Sequence, residues 1–72
     1  MPQIELFAEV ALLRDDPAHS LARGQVGTVV EMLSGDAVEV EFIDNDGHTY
    51  ATAALHAADL VRLHHGPLER VA

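Results

Sequence analysis

The length of 72 residues leaves room for one domain, and the absence of cysteine excludes both a disulfide framework and a thiolate metal site. Twelve acidic residues against four basic ones give a formal net charge of −8, which favours basic partners and disfavours nucleic acid and anionic membranes. No apolar run approaches the roughly 20 residues of a membrane-spanning helix. Residues 1–5 lack the features of a signal peptide, so we expect a cytoplasmic protein.

The start of the chain predicts one strand and a loop. Residues 9–14 are mostly apolar and predict a first strand, which ends at the turn-forming residues 15–17. Residues 18–23 predict a loop that leads to Gly24. A short helical turn within residues 4–13 is the alternative for the beginning of this region.

The middle of the chain predicts a hairpin. Residues 25–33 are rich in valine and threonine and predict a longer second strand. Residues 34–36 have the length of a hairpin connection. Residues 37–43 then alternate apolar and acidic side chains, and this period of two predicts a half-buried third strand. The alternating residues are Val38, Glu39, Val40, Glu41 and Phe42.

The rest of the chain predicts two further strands. Residues 44–47, Asp-Asn-Asp-Gly, predict a turn in which the glycine takes a positive φ. Residues 48–53 predict a fourth strand, residues 55–58 a single helical turn, and residues 59–63 a short last strand. Regular structure is expected to end at Gly66-Pro67, which leaves residues 67–72 as a flexible tail.

Five short strands separated by turns predict an all-β fold, namely a small SH3-like barrel that is partly open. We expect one domain over residues 1–66, because closure of the sheet limits the exposed edges of so small a protein. The predicted core contains Val10 and Leu12 (or Ala11 and Leu13), Val26, Val30, Val38, Val40, Phe42, Tyr50, Leu60, and Val61 or Leu63.

Residues 21–31 carry a loop, a glycine and then Val-Gly-Thr-Val-Val, and this pattern resembles the first hairpin of SH3-like and KOW-type barrels. Residues 38–44 and 47–51 extend the pattern. Over residues 4–63 the chain resembles a family of short bacterial proteins labelled domain of unknown function 4926. The resemblance implies an SH3-like fold and a small stand-alone bacterial protein, and it implies no catalytic residue.

Nucleic-acid binding is disfavoured by the basic residues. Such binding needs clustered lysine and arginine side chains, usually with exposed aromatic rings. This chain has no lysine, and its arginines, at positions 14, 23, 62 and 70, are scattered.

Metal and catalytic sites are also disfavoured, and we expect no cofactor. The five histidines, at positions 19, 48, 56, 64 and 65, match no zinc spacing. Residues 44–47 have their glycine at the fourth place, whereas a calcium loop of the EF-hand type needs it at the sixth. Ser20 and Ser34 lie in predicted turns, and so small a domain has little interior for a substrate cavity. We therefore expect no enzymatic activity.

The remaining class is protein recognition. We expect an acidic patch for a basic protein partner, formed by Glu39, Glu41, Asp44 and Asp46. An antitoxin or immunity role, in which the chain masks a basic partner, is one specific form of this hypothesis. The alternatives are an accessory subunit of a larger enzyme and a homo-oligomeric domain that associates through a strand edge.

Overall fold

The computed structural model describes residues 4–66, and these residues form a single antiparallel sheet. The strands are β1 (Glu9–Leu12), β2 (Val26–Met32), β3 (Ala37–Ile43), β4 (Thr49–His56) and β5 (Leu60–Arg62). They are arranged in the order β4-β3-β2-β1-β5, which is consistent with a small, partly open barrel. Two short 3₁₀ turns, Pro17–His19 and Ala57–Asp59, lie outside the strands. The predicted all-β class is therefore confirmed.

β3 is the centre of the fold, and its bounds coincide with the predicted strand 37–43. Its three apolar side chains, Val38, Val40 and Phe42, are at most 2% exposed, while Glu39 and Glu41 are half-buried on the other face. β2 and β4 pair with its two edges. The period of two therefore separates a core face from a solvent face, as predicted.

β4 is longer than predicted. It continues past residue 53 to His56, and the turn expected at residues 55–58 is a 3₁₀ turn at Ala57–Asp59 instead. Ala53 pairs with Val40 and Leu55 pairs with Val38, so both join the core. Burial against β3 thus outweighs the helical preference of the alanines. Before β1 the Ala8 N–H donates a 3.0 Å hydrogen bond to the Glu5 carbonyl, so the start of the described chain forms a single turn, as the alternative for residues 4–13 allowed, rather than a helix.

The prediction that Val26 and Val30 are core residues of β2 is wrong. Val26 is 43% exposed, Val30 is half-buried, and Val29 is the fully buried residue. The inward positions are Gly27 and Val29, because Gly27 packs directly on Val40 of β3. A register shift after Val29 then makes Val30 the extra residue of a bulge.

Tyr50 was expected in the core and is instead 46% exposed. The pairing of β3 with β4 shifts between Phe42↔Ala51 and Ile43↔Thr49, and Tyr50 is the additional residue at this irregularity. Its ring lies 6.2 Å from that of Phe42, and its hydroxyl accepts a 3.3 Å hydrogen bond from the Gln25 side chain. The tyrosine therefore covers the rim of the core rather than filling it.

The structure decides the open choices in the first and last strands. Val10 and Leu12 face the core, Leu13 is 50% exposed, and Leu60 is buried. Val61 and Leu63 were the alternatives for one further core position, and neither is fully buried, since Val61 is exposed and Leu63 is half-buried. Ala11 is buried too, although on the outer face, where it lies between Val26 and Val61. Besides Val29, four residues of the core were not predicted: Ala8, Leu21, Ala53 and Leu55.

Within residues 4–66 no helix is long and apolar enough to cross a membrane. The predicted tail, residues 67–72, lies outside the described part of the chain.

Candidate functional site

The outer face of β3 carries two of the four carboxylates predicted to bind a partner. Glu41 lies between Thr28 of β2 and Thr52 of β4, and the Thr49 hydroxyl donates a 3.0 Å hydrogen bond to its Oε2. Glu39 lies two residues away, opposite Glu31 on β2. Like charges at directly paired positions repel each other. This face therefore has unbalanced negative charge.

The other two predicted carboxylates lie in the turn after β3. Asp44 Oδ1 accepts hydrogen bonds of 2.9 Å from the backbone N–H groups of both Asp46 and His48. Gly47 has φ 84°, as expected for a glycine in this turn. The first function of Asp44 is thus to hold the turn, while Asp46 is exposed beside it.

An open depression of about 400 Å³ lies on the outer face, where the β3–β4 turn approaches β1 and β2. Its carboxylates are Glu9, Glu41 and Asp44, and Val26 and Ile43 give it an apolar portion. Both of these apolar side chains are more than 40% exposed. The remaining lining residues are Gly27, Thr28 and Asn45.

The structure thus brings together Glu41 and Asp44 but does not place Glu39 or Asp46 in the lining. Glu9 of β1 takes their place, and sequence reasoning missed it. Its position depends on the pairing of Glu9 with Thr28, which in turn pairs with Glu41. The sequence offered one weak signal, an acidic residue at the start of a predicted strand, but no indication of the neighbouring strand.

The polar part of the lining of the depression is mainly acidic. Three carboxylates, one hydroxyl and one side-chain amide line it, with no histidine, cysteine or serine among them. Each carboxylate has an internal partner on one oxygen: Glu41 Oε2 accepts from Thr49, Glu9 Oε1 contacts the imidazole of His65, and Asp44 Oδ1 accepts from two backbone N–H groups of its turn. The side chain of Glu9 is 42% exposed and that of Asp44 is 43% exposed, so both are accessible to a ligand.

The same turn contains side chains that are able to ligate a cation. One ligand atom each from Asp44, Asp46 and His48 lies within 4.8 Å of the others, and all three residues are exposed. Two backbone N–H groups already occupy Asp44 Oδ1, and His48 Nδ1 lies 3.9 Å from Asp44 Oδ2. These contacts explain the cluster as a hydrogen-bonded turn.

Two of the described arginines form ion pairs at separate points. The Arg14 side chain lies 3.2 Å from the Asp59 carboxylate, and Arg62 lies 2.9 Å from that of Glu5. Both ion pairs are outside the lining of the depression. Of the two serines considered as nucleophiles, Ser20 ends a 3₁₀ turn with φ 58° and Ser34 is exposed between β2 and β3.

Comparison with known proteins gives one family match. The family described as Domain of unknown function (DUF4926) matches residues 6–62 of the 72. No curated protein and no solved structure matches the chain. The matched range contains all five strands and the whole lining of the depression.

Proposed function

We propose that this chain, which belongs to the DUF4926 family, is a non-catalytic module that binds a basic protein through the depression on its outer face. One observation carries the proposal. The carboxylates of Glu9, Glu41 and Asp44, from two strands and a turn, line the same open site as two exposed apolar side chains.

This combination fits a lysine or arginine side chain. The methylene groups of such a side chain pack on apolar surface while its charged end reaches polar groups. Val26 and Ile43 offer the apolar contact, and the carboxylates offer charge-assisted hydrogen bonds. The formal charge of −8 adds long-range attraction that accelerates association with a basic protein.

The specific form of the proposal is an antitoxin or immunity role, in which this chain covers the functional surface of a basic toxin or nuclease. Its support is the small size, the acidic charge and an open site without a nucleophilic cysteine or serine in its lining. Rescue of growth on co-expression with the product of the adjacent reading frame is the expected result. Stable co-purification with a larger cofactor-containing chain would instead favour an accessory subunit.

The direct test is capture of a partner from a lysate of the source organism, followed by identification and titration calorimetry with the purified partner. The test variant is the double substitution Glu41→Gln with Asp44→Asn, because the amide oxygen of asparagine still accepts the hydrogen bonds of the turn. The matched control is Asp15→Asn with Asp36→Asn, which removes the same charge outside the depression.

We expect the test variant to weaken binding at least about ten-fold, since loss of charge-assisted contacts is worth on the order of 1.5–3 kcal/mol each. The control should change the affinity much less. Affinity should also fall as salt is raised, because salt screens charges at exposed sites. Equal effects of both variants, or an affinity independent of salt, would contradict the assignment of the site.

A further inference from the structure

β4 is the longer free edge of the sheet. β3 lies on one side of Thr49–His56, and within residues 4–66 no strand lies on the other side. An edge of this kind presents backbone N–H and C=O groups that are able to pair with another chain. β5, at the opposite edge, has only three residues, whereas β4 has eight.

β4 also lacks the features that commonly prevent edge pairing. Its sequence, TYATAALH, contains no proline and no aspartate, glutamate, lysine or arginine, although the whole chain has 12 acidic and 4 basic residues. The register shift at Tyr50 is confined to the N-terminal end of β4, and Ala51–His56 pair regularly with β3. Its exposed side chains include Thr52 and Ala54, which are small enough for close approach of a second strand.

We propose that a second copy of this chain pairs with β4 in antiparallel orientation, so that two five-stranded sheets form one continuous sheet. Antiparallel pairing of identical strands is compatible with the two-fold symmetry of most dimers. It places neutral residues opposite neutral residues, so no like charges face each other across the new pair. This interface is separate from the depression and does not depend on the function proposed for it.

The position of the charges favours a second copy over a basic strand at this edge. A strand added to β4 lies two strand spacings, about 10 Å, from β3 and its carboxylates Glu39 and Glu41. That distance is close to the screening length of about 8 Å at physiological ionic strength. β4 itself offers no carboxylate to a basic segment, whereas a second copy of this neutral strand pairs with it without placing like charges opposite each other.

The net charge gives the dimer a characteristic salt dependence. Each copy has a formal charge of −8, so two copies repel each other at long range, and added salt screens that repulsion. Dimerisation should therefore strengthen as salt is raised, whereas binding of a basic protein should weaken. The opposite signs allow the two proposals to fail independently.

The test is analytical ultracentrifugation of the full chain over a wide range of protein concentration, at low and high salt. We expect a monomer–dimer equilibrium that shifts toward the dimer with salt. Ala54→Lys is the test variant and Ala18→Lys, in the exposed 3₁₀ turn, is the matched control. Both reduce the net negative charge by one, so long-range repulsion falls equally in both.

Only Ala54→Lys places like charges along the new strand pair, and we expect it to weaken the dimer at least about ten-fold. Circular dichroism verifies that each variant is folded, and His56→Lys, which is opposite Ala37 and away from the depression, provides a second edge substitution if Ala54→Lys does not fold. A monomer at every concentration and salt would overturn the proposal. So would a dimer that tolerates the edge substitutions as well as Ala18→Lys.

Discussion

Gly27 of β2 packs so closely on Val40 of β3 that a Cβ atom built on the glycine would lie 2.5 Å from Val40 Cγ1. The same atom would lie 2.8 Å from the backbone oxygen of Glu41. Gly27 is therefore the point at which β2 approaches the core strand without a side chain. This contact sets which face of β2 is buried, because Val29, two residues later, must then point inward.

Gly27→Ala should destabilise the protein by about 1–3 kcal/mol, the usual cost of overpacking a well-packed interior. Because the Glu41 oxygen belongs to the backbone, a rotamer change of Val40 alone does not relieve the overlap. Gly66→Ala is the control, since no atom lies within 4 Å of the position where its Cβ would be. Urea denaturation measures both variants, and equal stability of the two would contradict the close approach.

Val29→Ala should cost about 2 kcal/mol of unfolding free energy, since it removes two fully buried methyl groups and leaves a cavity. Val26→Ala, the same substitution on the exposed face of the same strand, should cost less than about 1 kcal/mol. Thermal and urea denaturation of the pair test the observed orientation of β2. A larger loss for Val26→Ala would reverse it and restore the orientation predicted from the sequence.

The predictable part of the fold is the part in which local pattern and burial agree. The alternation of residues 38–42 located β3, and Asp44–Gly47 located the turn that follows it. The orientation of β2 was not predictable in the same way, because a run of valines is apolar on both faces. Gly27 and the bulge at Val30 decide that orientation through contacts with β3, which is a tertiary effect.

The candidate site was predictable only in part for a related reason. Glu41 and Asp44 belong to one strand and its turn, so their proximity follows from local sequence. Glu9 is 32 residues away from Glu41 and joins it through two strand pairings. Glu39 faces outward like Glu41. It lies nearer the start of β3 and farther from the β3–β4 turn, and it is therefore outside the depression.

Asp44→Ala should lower the free energy of unfolding by about 1 kcal/mol, because a half-exposed carboxylate that accepts two backbone hydrogen bonds is lost. Asp44→Asn should be milder, since its amide oxygen still accepts both. Asp46→Ala, in the same exposed turn, should change stability by less than about 0.5 kcal/mol. Urea denaturation compares the three, and an Asp44→Ala loss no greater than that of Asp46→Ala would show that the hydrogen bonds do not hold the turn.

Phe7 combines a left-handed backbone with an exposed side chain, and this makes it a site where glycine should be better than the native residue. Its φ is 68°, its N–H donates a 2.8 Å hydrogen bond to the Val29 carbonyl, and its side chain is 72% exposed. A residue with a Cβ pays roughly 1–2 kcal/mol in this conformation. Glycine avoids that strain at an entropic cost of about 0.5–1 kcal/mol.

Phe7→Gly should therefore raise the free energy of unfolding by about 0.5–1 kcal/mol, the difference between the relieved strain and the entropic cost. Phe7→Ala separates the backbone from the side chain, because it removes the ring but retains the Cβ and hence the strain. We expect its stability to be no higher than that of the native chain. The midpoints of urea denaturation compare the stability of the variants, provided that the dependence of unfolding free energy on urea concentration has the same slope in each. If Phe7→Gly were no more stable than Phe7→Ala, the strain would be smaller than the φ of Phe7 implies, because both variants lack the ring and differ only in the Cβ.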